Sequence, residues 1–128
     1  MSVIVDTSVW VEFFAGRKVS ALDDALRQGV VALSPIVAAE LVSGAHRERE
    51  RVALVSFLED LPLVETPLEH WVRVGDMRRR CREKGLSVSI PDAHVAQCTL
   101  DHDALLLSRD AIFQKIARWT ALRVHAAS

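Results

Sequence analysis

Four acidic residues stand beside apolar segments of this sequence, where carboxylates are uncommon: Asp6, Glu40, Asp92 and Asp110. Asp6 directly follows the apolar run Val3–Val5, and Asp110 follows a second apolar run, residues 104–107, after two intervening residues. Most of the other acidic residues have charged or polar neighbours, which is typical of a solvated surface. Because burying an unpaired charge is costly, carboxylates in apolar surroundings indicate that they share a partner.

Two of these acids lie on predicted helices, on the side that faces the core. Glu40 comes four residues after Ile36 and three after Val37, so it shares their apolar stripe. Asp92 stands in the first turn of its helix, with Val95 on the same face. We therefore expect both carboxylates to point inward. Simpler interpretations are also open: a buried salt bridge for Glu40, an interaction with the helix dipole for Asp92, and helix caps for the other two acids.

Four carboxylates at one site would repel each other strongly, and a bound divalent cation relieves such repulsion. A set of oxygen ligands without His or Cys suits Mg²⁺ or Mn²⁺ rather than zinc. Such ions activate water and stabilise the leaving oxygen in phosphodiester hydrolysis. His94 and Cys98 are four residues apart, but the sequence offers no further ligands in a zinc spacing. We therefore predict that Cys81 and Cys98 are free thiols.

Short apolar runs alternate along the chain with longer segments of helical periodicity. We predict strands at residues 3–5, 30–33, 62–65, 104–107 and 122–124, and helices at residues 8–14, 21–29, 35–43, 49–61, 68–84, 91–100 and 111–119. Apolar strands separated by helices indicate a parallel sheet covered on both faces. The predicted fold class is therefore α/β, a three-layer α/β/α sandwich with a central, mainly parallel sheet, in a single domain over residues 1–128. Ligands bind such sheets at the carboxyl ends of the strands, where Asp6 and Asp110 are expected.

Arginines cluster near the end of the longest predicted helix, at Arg78, Arg79 and Arg82, and Arg109 directly precedes Asp110. The net charge is −1, so the overall charge alone does not predict a protein that binds nucleic acid. The cluster fits either a solvated face favoured by the helix dipole or a rim that contacts phosphates around an acidic centre.

The sequence contains no predicted secretory signal or membrane segment. Its N-terminus lacks a basic region and carries Asp6 within the apolar stretch. The longest uncharged run is about a dozen residues and is broken by Pro35, whereas a membrane span needs about 20. We therefore expect a cytoplasmic protein.

Four segments resemble the motifs of PIN domains of the VapC type, in the order and spacing of that family. VIVDTSVWVEFF is similar to the opening of such domains, and AAELVSGAHRERER to their second acidic motif. GLSVSIPDAHVAQ is similar to the third motif, and LLLSRDAIFQKI to the fourth. The resemblance covers nearly the whole chain. Two positions depart from it: His94 stands where many relatives have an aliphatic residue, and Ile112 where the fourth motif often has another acid.

The resemblance implies a metal-dependent endoribonuclease that hydrolyses RNA and acts as the toxin of a toxin–antitoxin pair. Carried over by motif, the catalytic residues and ligands of Mg²⁺ or Mn²⁺ are Asp6, Glu40, Asp92 and Asp110. The resemblance also implies a homodimer and a small antitoxin whose C-terminal segment wraps the toxin and blocks its site. Trp10 and Phe14, four residues apart on one helix, fit either such a contact or the core.

Further residues are candidates for supporting roles around the acids. The hydroxyls of Thr7, Ser8 and Ser108 are in position to hydrogen-bond the acids, as groups that orient metal ligands do, although each also fits a helix cap. Arg109 is the arginine we most expect near a scissile phosphate. Arg78, Arg79 and Arg82 are the other candidate RNA contacts. For His94 we expect a packed position at the edge of the core.

Two other functions are compatible with parts of the sequence. The first is a catalytically inactive PIN-like scaffold that binds protein or RNA, but the presence of all four acids argues against it. The second is a phosphotransfer enzyme with an aspartyl nucleophile. Asp6-Thr7-Ser8 lacks the second Asp of the haloacid-dehalogenase pattern, and no Lys follows the fourth strand, as a receiver domain would need.

Overall fold

A parallel four-stranded sheet forms the centre of the computed structural model, which describes residues 1–126 of the chain. The strands are β1 (Val3–Val5), β2 (Val31–Ala32), β3 (Leu105–Leu107) and β4 (Val124–His125), in the order β2-β1-β3-β4. Every neighbouring pair is parallel, with Val3 of β1 opposite Val31 on one side and Leu105 on the other. The predicted α/β class and its parallel sheet are confirmed.

Seven helices flank the sheet within the described residues, in the three-layer arrangement that was predicted: α1 (Thr7–Phe14), α2 (Ser20–Arg27), α3 (Pro35–Ser43), α4 (Glu48–Glu59), α5 (Leu68–Glu83), α6 (Ile90–Asp101) and α7 (Ala111–Ala117). Their ends differ from the predicted ends by a residue or two, which is the usual uncertainty where helices fray. α3 begins as its sequence indicates, with Ser34 as N-cap and Pro35 in the first turn.

The strand predicted at residues 62–65 is wrong, because this segment makes only an isolated parallel bridge between Leu33 and Leu63. Two backbone hydrogen bonds hold it there, from Leu33 to the carbonyl of Pro62 and from Val64 to the carbonyl of Leu33. Pro62 has no N–H group with which to extend the ladder, so the pairing stops after one residue.

α6 is the helix around which the other elements pack. Every residue from Ala93 to Thr99 is buried, and the helix contacts α3, α5 and α7 as well as strands β1 and β3. A helix that is buried on all sides must be apolar or have partners for its polar groups. Its first turn lies outside this covered stretch, and that is where Asp92 emerges, half-buried.

The aromatic residues near the N-terminus form one cluster. Trp10 is fully buried and contacts Phe13, Phe14 and Phe57, with ring centroids 5.7–5.8 Å away. Trp10 therefore belongs to the core, whereas 41% of Phe14 is exposed. Within residues 1–126, no helix has both the length and the apolar character that crossing a membrane requires.

Candidate active site

The four acids named above approach one edge of the sheet from different elements. Asp6 follows β1, Asp110 follows β3, Asp92 lies in the first turn of α6, and Glu40 lies in α3. The pKa of the Asp92 carboxyl is raised, first by burial and then by the charges of Asp110, Asp6 and Glu40, while its hydrogen bond with Ser89 opposes the rise. All three other acids are thus near enough to Asp92 to affect its ionisation.

Asp6 is held by three hydrogen bonds. Its Oδ1 accepts from the backbone N–H of Thr7 at 2.9 Å, so it caps α1. Its Oδ2 accepts from the hydroxyls of Ser8 at 3.0 Å and Ser108 at 2.9 Å. The carboxylate is buried, yet two carboxylate oxygens have about four lone-pair sites, so acceptor capacity remains for a further ligand.

The prediction that Glu40 points into the core is wrong, because its side chain is exposed. The buried face of α3 consists of Val37 and Leu41, and Glu40 lies at the edge of that stripe, where a groove opens beside the helix. There its Oε1 accepts a 2.8 Å hydrogen bond from the hydroxyl of Thr7. The predicted apolar stripe on α3 is present, but its edge borders an open groove rather than packed side chains.

Asp110 is exposed, and it serves as the N-cap of α7, with Oδ1 accepting from the N–H of Ile112 at 3.1 Å. Its own N–H donates to Ser108 Oγ at 3.0 Å, and that hydroxyl donates in turn to Asp6. Ser108 therefore links the two acids at the ends of β1 and β3. The capping interpretation of Asp6 and Asp110 and their convergence at one site are both correct.

Three helices begin at these acids, since Asp6 caps α1, Asp110 caps α7 and Asp92 stands in the first turn of α6. The partial positive charge at a helix N-terminus stabilises nearby carboxylates. These helix N-termini thereby offset part of the repulsion among the acids. Among the described residues, no three of the four acids bring their oxygens within 4.8 Å of one another, so a shared cation would draw them together.

The arginines that the sequence singled out have separate local partners. Arg78 donates from Nε to the carbonyl of Val88 at 2.8 Å, and with Arg82 it lines a cleft of about 300 Å³ beside Ser87. Arg79 is exposed and lies 3.6 Å from Asp76. Arg109 donates to Glu12 on α1 at 2.8 Å. Of these four arginines, Arg78 and Arg82 are the two that line the same cleft.

Two buried histidines, His94 on α6 and His70 on α5, form a polar cluster of which sequence analysis named only His94. His94 is fully buried, and burial, followed by the proximity of His70, lowers its pKa to about 4. Its partner His70 lies 24 residues away on α5, and sequence analysis missed it. The apolar surroundings of His70 on α5, buried with Val74 and Met77, were the available signal.

Cys81 and Cys98 are free and buried, as predicted.

A parallel α/β sheet with four carboxylates at its carboxyl edge is the architecture just described, and comparison with known proteins gives it a family. The PIN domain model matches residues 3–118, so the chain belongs to the PIN-domain family. It is 31% identical to Ribonuclease VapC11 of Mycobacterium tuberculosis over an alignment that spans 94% of this chain and 96% of that protein. VapC1 of Methanocaldococcus jannaschii is 25% identical over 96% of this chain and 77% of its own length.

Solved structures share the fold. The VapBC2 structure from Rickettsia felis, bound to a promoter DNA fragment, matches with a TM-score of 0.82 and 21% identity over the full length of both chains. VapBC-1 from nontypeable Haemophilus influenzae matches with a TM-score of 0.78 and 17% identity, covering 98% of this chain and 97% of the other. At such identities the likeness concerns the fold.

Proposed function

We propose that this chain is an endoribonuclease that depends on Mg²⁺ or Mn²⁺ and acts as the toxin of a VapBC-type toxin–antitoxin pair. The similarity to VapC ribonucleases along nearly the whole chain supports the class of reaction. The observation that carries the metal dependence is the electrostatic coupling of the acids, because Asp110, Asp6 and Glu40 all raise the pKa of Asp92. We propose further that residues 1–128 form one catalytic domain.

The donor set fits a hard divalent cation, because all four side chains offer carboxylate oxygens. In this proposal the metal is held by Asp6, Glu40, Asp92 and Asp110. When bound, it supplies positive charge to the phosphate oxygens and an activated water for in-line attack. The pKa of Asp92 is raised first by burial and then by the other three acids, so this carboxyl would be ionised more readily beside a bound cation.

The hydroxyl groups of the site hold the carboxylates in orientation. Ser8 and Ser108 donate to one oxygen of Asp6, and Thr7 donates to Glu40. A ligand that is fixed by such hydrogen bonds loses less freedom when it binds metal, so these contacts raise metal affinity. Because Ser108 is buried and Ser8 is exposed, we expect Ser108 to matter more.

Basic groups bind the RNA backbone in this proposal. Arg78 and Arg82 line one cleft, and Arg78 is fixed by its bond to Val88, so the cleft offers a preformed pair of charges for a phosphate. Arg79 contributes only general attraction, because it is exposed and paired with Asp76. Arg109 would have to exchange its bond with Glu12 for one with a phosphate.

A groove beside Glu40 supports the antitoxin part of the proposal. It has a volume of about 480 Å³, lies among α1, α3 and α4, and exposes Val11 and Phe14. Two acids, Glu40 and Glu50, line it, so an apolar segment carrying a basic group fits it best. An antitoxin segment in this groove would reach the catalytic acids through Glu40.

We also propose that the free toxin is a homodimer, which light scattering at tens of micromolar tests.

The test is cleavage of RNA by the purified protein in Mg²⁺, Mn²⁺ and EDTA. We expect cleavage with either metal, none in EDTA, and none in Asp6→Asn or Asp92→Asn. Asp24→Asn is the matched control, because Asp24 is an exposed helical aspartate paired only with Arg27. Wild-type activity in either site variant would overturn the mechanism. RNA binding without cleavage in both metals would favour the inactive scaffold instead.

A further inference from the structure

A chain of hydrogen bonds runs from Ser34 through two histidines in the core to Asp101 at the surface. Ser34 Oγ lies 2.6 Å from His94 Nε2, His94 Nδ1 lies 2.7 Å from His70 Nε2, and His70 Nδ1 lies 3.3 Å from Asp101 Oδ2. Arg73 and Gln97 donate to the Asp101 carboxylate at the outer end. Ser34, His94 and His70 are each at most 1% exposed.

One arrangement of protons satisfies every group in this chain with both imidazoles neutral. Ser34 donates its hydroxyl hydrogen to His94 Nε2 while its oxygen accepts from the N–H of Val37. His94 then donates from Nδ1 to His70 Nε2, and His70 donates from Nδ1 to Asp101. A fully satisfied buried network is rigid, because any displacement leaves a polar group without a partner.

Cys98 completes a group of three possible metal ligands with the two histidines, but their spacing favours the hydrogen-bonded form. Zinc lies about 2.0–2.1 Å from each ligand nitrogen, which keeps two such nitrogens about 3.3 Å apart. The nitrogens of His70 and His94 are 2.7 Å apart, which is a hydrogen-bond distance. Burial also raises the pKa of the Cys98 thiol to about 12, which disfavours the thiolate that a metal needs.

The network joins the helices that carry two of the four acids. Ser34 is the N-cap of α3, the helix of Glu40, and His94 stands two residues after Asp92 on α6. His70 ties both to α5, and Trp71 stacks on the His94 ring with centroids 4.9 Å apart. Apolar contacts between helices tolerate small shifts, whereas a short hydrogen bond between Ser34 and His94 fixes one position.

We infer that the Ser34–His94–His70–Asp101 network sets the position of α3 relative to α6 and so the separation of Glu40 from Asp92, which makes His70 a positioning residue for the metal centre. The inference rests on the proposed function only in its reference to metal. Its structural part, that His70 orients the His94 ring and His94 in turn bonds Ser34 at the start of α3, is argued from these contacts alone. His70 touches no acid of the site, so it can be changed without altering a ligand.

The experiment compares His70→Met with His70→Gln, two side chains of similar length. The Gln side chain can offer its amide oxygen to His94 Nδ1, whereas Met cannot. We expect His70→Met to lower kcat for RNA and the affinity for Mn²⁺, measured by electron paramagnetic resonance, by about tenfold each, with KM nearly unchanged. His70→Gln should recover most of both. Equal losses in the two variants would overturn the inference.

Val74→Ala is the control for a loss of stability. Val74 is buried on the same helix but outside the network, so its truncation lowers the melting temperature without lowering kcat. All assays are run well below the melting midpoints. If Val74→Ala lowers kcat as much as His70→Met does, general destabilisation explains the effect and the positioning role is wrong.

Backbone amide NMR of the metal-free protein separates this inference from the proposed function. His70→Met should shift the amide resonances of α3, including Glu40, and His70→Gln should leave them near their wild-type positions. Unshifted α3 resonances overturn the inference even if the wild type is an active nuclease. If the α3 resonances shift but the protein neither cleaves RNA nor binds Mn²⁺, the proposed function is wrong. The effect of His70 on the position of α3 then still stands. Stoichiometric Co²⁺ binding to Asp6→Asn/Asp92→Asn with a thiolate absorption band would identify a metal site and overturn the inference.

Discussion

Ser108 donates its hydroxyl to Asp6 at 2.9 Å and so joins the ends of two adjacent strands that are 102 residues apart in the chain. The same hydroxyl accepts from the N–H of Asp110. One small side chain therefore fixes both of the acids that leave the carboxyl edge of the sheet. A group this central to the site can be tested against Ser8, which donates to the same oxygen of Asp6 from an exposed position.

We predict that Ser108→Ala lowers both stability and cleavage more than Ser8→Ala does. Ser108→Ala removes a buried hydrogen bond to the Asp6 carboxylate, which costs about 1–3 kcal/mol, and also the acceptor of the Asp110 N–H. Water replaces the exposed hydroxyl of Ser8. Urea unfolding and initial cleavage rates measure the two effects. Equal losses in the two variants would mean that the shared contact with Asp6 is all that counts.

Asp92→Asn should stabilise the metal-free protein at neutral pH. The pKa of Asp92 is raised in the folded state, so the folded protein holds this proton more tightly than the unfolded chain does. Stability then falls as the pH rises through the interval from the unfolded to the folded pKa, and Asn avoids that loss. Each kcal/mol gained raises the melting midpoint by roughly 3–5 °C for a domain of this size.

The gain from Asp92→Asn should vanish at a pH below the unfolded pKa of an aspartate, where the carboxyl is protonated in both states. Added Mn²⁺ should stabilise the wild type more than the variant, because stabilisation by a ligand follows its affinity. Thermal melts in EDTA and in Mn²⁺ at both pH values give the answer. A lower midpoint for the variant in EDTA at pH 7 would contradict the acidic cluster.

His94 should make the protein sensitive to mild acid. Its pKa is lowered to about 4 in the folded state, against 6.5 for an ordinary histidine. Between these two pH values the unfolded chain therefore binds a proton that the folded protein does not bind. The associated stability is complete above pH 6.5 and is lost as the pH falls to 4, by up to about 1.4 kcal/mol per pH unit. Urea unfolding of the wild type and of His94→Leu across this range measures the slope. The slope should be shallower in the variant, and identical slopes would exclude His94 as the cause.

Val11→Asp should weaken capture of the antitoxin while leaving RNA cleavage intact. Val11 is 55% exposed in the groove beside Glu40, and a third acid there replaces apolar contact with a charge that an apolar segment must desolvate. Val72→Asp is the matched control, since Val72 is 54% exposed on α5, outside the groove. Co-purification with a co-expressed candidate antitoxin reports the outcome. Equal capture by both variants would move the antitoxin to another surface.

Local sequence signals predicted most of the fold, and they singled out four acids that the structure brings to one edge of the sheet. Ser34 and Pro35 mark the start of α3 because capping depends on adjacent residues alone. The acids stand out because each follows or shares an apolar segment. These features need no knowledge of distant parts of the chain.

What the sequence could not provide depends on which elements meet. Periodicity assigned Glu40 to the apolar face of α3 but could not tell that this edge of the face borders a groove. His70 and His94 are partners across 24 residues and two helices, so neither position alone predicts the other. Residues 62–65 were wrongly predicted as a strand for the same reason, since their pairing depends on how the edge of the sheet is built.

The central place of β1 in the sheet also governs when the site is completed during translation. β1 is synthesised before β3, yet β3 is one of its two neighbours in the sheet and lies more than a hundred residues later in the chain. Until β3 has been made, the nascent chain holds Asp6 without Ser108 and without Asp110. Pairing across so long an interval also slows folding, because the loop must close before its contacts form. A chain that ends before β3 therefore cannot bring Asp6 together with Ser108 and Asp110.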